Sequence, residues 1–70
     1  MKATVIVEKG SDGLYSAYME ELFPDFGLAG YGDTAEEAID DFYVCRDEAA
    51  EYLSANGKKM PELSYTFKYI

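Results

Sequence analysis

Apolar residues recur along this chain with two different periods, and the changes of period mark out five elements. Thr4 to Lys9 is rich in β-branched residues and runs into Gly10-Ser11-Asp12-Gly13, a cluster suited to a tight turn. Leu14 to Glu20 resumes with aromatic and small apolar residues, so the first two strands form a hairpin. Pro24-Asp25-Phe26-Gly27 interrupts the pattern. Leu28-Ala29-Gly30-Tyr31-Gly32 then reads as a third strand whose glycines suit a place where another backbone comes close.

The period changes after Asp33. Thr34 is followed three residues later by Glu37, the spacing of a capping box, and a helix begins at about Ala35. Ala38, Ile39, Phe42, Cys45, Ala49, Tyr52 and Leu53 recur at three- and four-residue steps as one apolar stripe. Asp40, Asp41, Asp47, Glu48 and Glu51 lie mostly off it. Asn56-Gly57 stops the helix after about 21 residues, with Lys58, Lys59 and Pro61 beyond it to complement the dipole and forbid continuation.

Leu63 to Ile70 returns to strict alternation, Leu63, Tyr65, Phe67 and Tyr69 against Ser64, Thr66, Lys68 and Ile70. The order β-β-β-α-β predicts an α+β domain, a four-stranded mixed sheet with one long helix on one face. A strand after so long a helix returns by a crossover, which places it parallel to and beside the first strand. One helix covers one face, yet apolar residues fall on both alternation sets, Val5 and Val7 against Ile6, Ala17 and Met19 against Tyr18. An interaction is therefore expected to cover part of the second set.

Composition narrows the classes. Seventy residues make one domain over 1–70, and a hydrophobic fraction of 49% with 7 Tyr and 4 Phe commits the chain to folding despite a net charge of −8. A core of this size supplies only about 3–5 kcal/mol without a staple. Cys45 stands alone and there is no histidine, so no intrachain disulfide and no zinc spacing is available. Self-association, as a homodimer through the uncovered sheet face or an edge strand, is the staple expected. The first residues lack the cleavage pattern of a signal peptide, and no stretch approaches the roughly 18 apolar residues of a membrane span. With 14 acidic against 6 basic residues the chain is repelled by phosphate and anionic lipid. A cytoplasmic protein that does not grip nucleic acid by itself is expected.

Candidate chemistry is sparse, and no catalytic residue, cofactor or metal ligand is assigned. Cys45 lies on the apolar stripe as an inert core thiol. The glycines at 27, 30 and 32 do not have phosphate-loop spacing, and Asp33, Glu36 and Glu37 would repel an anion at the helix start. Glu36, Glu37, Asp40 and Asp41 form two like-charged pairs four residues apart, an acidic surface suited to a basic partner as well as to solvent. The strand tyrosines lack the basic flank of a base-stacking platform and suit core and interface packing.

The segments Lys2-Ala3-Thr4-Val5-Ile6-Val7, Gly13-Leu14-Tyr15-Ser16-Ala17-Tyr18, Phe23-Pro24-Asp25-Phe26 and Gly30-Tyr31-Gly32-Asp33-Thr34-Ala35-Glu36-Glu37-Ala38, followed by a long helix ending near Gly57 and Pro61, resemble the N-terminal domain of HicB-type antitoxins. The resemblance implies a partial ribonuclease-H-like fold without working nuclease chemistry, acting as the antitoxin of a type II toxin–antitoxin pair. Its implied partner is a HicA-like toxin, a small basic ribonuclease that cleaves messenger RNA, neutralised by direct binding. Complete family members continue into a DNA-binding domain that this chain lacks. The chain then stands as the N-terminal part of a longer protein or as a stand-alone member. The alternative function is the dimerisation or sensing part of a transcription regulator. A third reading, a metal-dependent nuclease using Glu8 with helix carboxylates, is set against these.

Overall fold

The computed structural model describes residues 1–21 and 26–70. The Pro24-Asp25 part of the expected turn lies outside the described residues. The elements are β1 (Lys2–Lys9), β2 (Tyr15–Met19), β3 (Ala29–Gly32), α1 (Ala35–Ala55) and β4 (Ser64–Tyr69), in the β-β-β-α-β order expected. The sheet runs β3-β2-β1-β4, with β1 antiparallel to β2, β2 antiparallel to β3, and β4 parallel to β1. The last strand thus takes the place that the crossover argument assigns it. β1 begins two residues earlier than the β-branched run because β4 pairs Lys2 with Ser64, a long-range partner that recruits the terminus into the ladder.

Local chemistry explains each boundary. At the hairpin, the Asp12 carboxylate accepts from the Leu14 N–H at 3.0 Å, Gly13 N–H donates to the Gly10 carbonyl at 3.0 Å, and Gly13 supplies a φ of 87°. Thr34 caps the helix by accepting from the Glu37 N–H at 3.1 Å, while its own hydroxyl donates to the Glu37 carboxylate at 3.4 Å. The first bond of the expected capping box is thus formed, whereas the Glu37 carboxylate takes the Thr34 hydroxyl and not the Thr34 backbone N–H. At the other end Lys58 N–H donates to the Leu53 carbonyl and Gly57 N–H to the Ser54 carbonyl, with Gly57 at φ 72°, the two bonds of a Schellman motif.

Ala3, Val5, Val7, Ala17 and Met19 face the helix and meet Leu28, Ala38 and Phe42 in the core. Phe42 is completely buried and is the largest such side chain. The helix lies over β3 and β2, and its backbone passes directly across the strand glycines. A Cβ on Gly30 would stand 2.2 Å from the Phe42 nitrogen and 2.4 Å from the Ala38 carbonyl oxygen, which is the close approach that the glycine pattern predicts. One member of the predicted stripe departs from it. Tyr52 is 65% exposed, because it sits on the helix flank turned away from the sheet, whereas Ala38, Phe42 and Leu53 are buried and Ile39, Cys45 and Ala49 pack against the core.

The opposite face of the sheet carries Thr4, Ile6, Glu8, Ser16, Tyr18, Ala29, Tyr31, Thr66 and Lys68 by register. Ile6 is only 7% exposed without a helix above it, flanked in register by Tyr18 on one side and Lys68 on the other.

Candidate protein-binding surface on the helix

The helix carries seven acidic residues, Glu36, Glu37, Asp40, Asp41, Asp47, Glu48 and Glu51, against one base, Arg46. Burial of Ala38, Phe42 and Leu53 fixes which side faces the sheet. At 3.6 residues per turn, Glu36, Glu37, Asp40, Val44, Asp47, Glu48 and Glu51 then fall on the opposite side, within about a third of the circumference. All seven are exposed, and Val44, at 54%, is an apolar residue in the middle of the charged ridge.

The four carboxylates singled out in the sequence separate into two classes. Asp41 accepts a hydrogen bond from the Tyr31 backbone N–H at 2.9 Å, and Glu37 is engaged by the Thr34 hydroxyl. Asp41 thus ties the helix to β3, while Glu37, whose Cβ lies over Gly32, is exposed and turned to its own cap residue. Glu36 and Asp40 make no hydrogen bond or ion pair among the described residues and project along the outer ridge. The ridge continues to Asp47, which receives the Arg46 guanidinium at 2.9 Å. That guanidinium also lies 4.8 Å from the centre of the Tyr43 ring, and the bond to Asp47 holds its pKa above the ordinary value. The only helix cation is therefore spent beside the ridge rather than within it.

Tyr43 was not part of the predicted stripe, yet it packs edge-on against Tyr65 at 5.9 Å and Phe67 at 6.2 Å. With Phe42 against Tyr65 at 5.4 Å, these rings join the helix to β4, which the helix backbone does not cover. The exposure of the Tyr65, Phe67, Tyr69 alternation to one side of the helix is the signal that would have found Tyr43.

Glu8, the residue of the nuclease reading, points from the face of the sheet away from the helix, in register with Ser16. There a hydrogen bond to Glu8, followed by desolvation and by the charges of Glu8 and Glu20, raises the Tyr18 phenol above its usual range. The sheet stands between Glu8 and the helix carboxylates. Among the described residues no three carboxylates or thiols converge as metal ligands. A shallow cleft of about 340 Å³ opens beside Glu8, lined also by Lys9, Asp12, Tyr15, Ser16 and Tyr31. It mixes both charge signs and shares none of the ridge carboxylates. Among the described residues no helix is long and apolar enough to cross a membrane. No family model, curated protein or solved structure matches the chain.

Proposed function

We propose that this chain is a protein-binding module of the antitoxin type, whose acidic helix ridge docks a small basic protein, as the resemblance to HicB-type antitoxins implies for a HicA-like mRNA-cleaving toxin. The observation that carries the reading is the division of the helix carboxylates. Glu36 and Asp40, with Glu51 and Asp47, stand on the outermost side of the helix around an exposed Val44. An acidic ridge with an apolar centre offers both the long-range attraction that speeds encounter and a dry spot for a contact once docked. Like-charged neighbours four residues apart cost a few tenths of a kcal/mol, a cost that a cationic partner removes.

Neutralisation on this reading is steric and electrostatic. The ridge covers the cationic surface with which a ribonuclease holds RNA phosphates, so binding and RNA cleavage are mutually exclusive. The test is capture of a partner from lysate of the chain's own source, followed by a ribonuclease assay of the captured protein. The expected result is a small basic protein whose RNA cleavage stops at one equivalent of this chain. A captured protein that cleaves RNA equally well in the complex overturns the reading. The regulator reading places self-association first, and it is the edge of the sheet that bears on that.

A further inference from the structure

The two edges of the sheet are treated differently. At β3 the helix backbone lies against Gly30 and Gly32, and Asp41 occupies the outward N–H of Tyr31. At β4 nothing comparable happens. Ser64 N–H donates to the Met1 carbonyl and Ile70 N–H to the Val7 carbonyl, so in the parallel ladder the N–H and C=O groups of Tyr65, Phe67 and Tyr69 point outward. They have no partner among the described residues, and an edge of this kind is a template for another strand.

The geometry points to a second copy of this chain as the occupant, paired antiparallel through β4 about a two-fold axis at Phe67, to give one continuous eight-stranded sheet. This inference does not depend on the antitoxin reading. Charge selects the occupant first. Each copy carries −8, but from Leu63 to Ile70 there is no acidic residue and one lysine. The helices lie over β2 and β3, at the far side of each sheet, so about six strand spacings, roughly 29 Å, separate the two acidic ridges. That is more than three Debye lengths at physiological salt, where the length is about 8 Å.

Self-complementarity selects the register. Centring the pair on Phe67 places Phe67 opposite its mate and Tyr65 opposite Tyr69 of the other copy, each pair exchanging both backbone bonds. On the helix side this makes a ladder of aromatic pairs over the strand that the helix leaves uncovered, where Tyr69 is 63% exposed. On the other side Thr66 stands opposite Lys68 of the second copy. A shift by one residue toward the C-terminus would instead oppose the two Lys68 side chains.

Sedimentation equilibrium across the micromolar range tests this, with a mass of twice 7.8 kDa expected for the wild type. Tyr69→Pro removes an outward N–H without touching the ladder to β1, and is expected to raise the dissociation constant about tenfold or more with the far-ultraviolet circular dichroism unchanged. Thr66→Lys reduces overall repulsion between copies yet opposes two lysines in this register, so it is expected to weaken the dimer too. A wild type that stays at 7.8 kDa throughout overturns the inference, as does a dimer that neither substitution weakens.

Discussion

Asp41 accepts the backbone N–H of Tyr31 at 2.9 Å, so a helix side chain closes the outer edge of β3. The bond converts one of four adjacent carboxylates from surface charge into structure. Asp41→Ala is expected to be about 1 kcal/mol less stable than Asp41→Asn by urea unfolding. Both remove the charge, and only asparagine keeps an acceptor for the amide. Equal stabilities would show that the bond contributes nothing.

The fit of helix to sheet depends on the absence of a side chain at position 30. Gly30→Ala forces a carbon into backbone atoms at 2.2 and 2.4 Å, which cannot rotate away. A loss of about 3 kcal/mol is expected, a large part of the stability of a domain this small. Gly57→Ala meets no neighbour within 4 Å and suffers only from its φ of 72°. Its cost is expected to be about 1 kcal/mol, and Gly57→Asn should recover part of it. Chemical unfolding of the three variants checks the ranking.

Burial, set against the nearby Arg46 charge, pushes the Tyr65 phenol above its ordinary value of 10.0. The folded chain therefore holds that proton more tightly than the unfolded chain does. The contribution is fully present below pH 10 and is lost as pH rises through the folded value. Stability measured against pH on the alkaline side should fall more steeply for the wild type than for Tyr65→Phe. Parallel profiles would remove Tyr65 as the source.

Much of the fold was legible because single residues carry strong local signals. Thr34 and Asn56-Gly57 bound the helix through hydrogen bonds that involve only their neighbours in sequence. Gly30 announced a backbone contact before the contacting element was known. What was not legible depends on where the helix sits laterally on the sheet. Three- and four-residue spacing admits both Tyr52 and Tyr43 near the edges of a stripe, and β4 decides between them by offering Tyr65 and Phe67 to Tyr43. The same holds for the candidate site. The acidic cluster was visible as four residues, but its division required knowing that Asp41 reaches Tyr31 and Glu37 lies over Gly32.

That division is the central claim, and binding of the captured basic partner to two double variants tests it most directly. Glu36→Lys with Asp40→Lys reverses the outer ridge, while Glu37→Gln with Asp41→Asn neutralises the hydrogen-bonded pair and leaves acceptors in place. The account predicts that the first variant loses binding and its salt dependence, and that the second binds like the wild type. Undiminished binding by the first variant would contradict it.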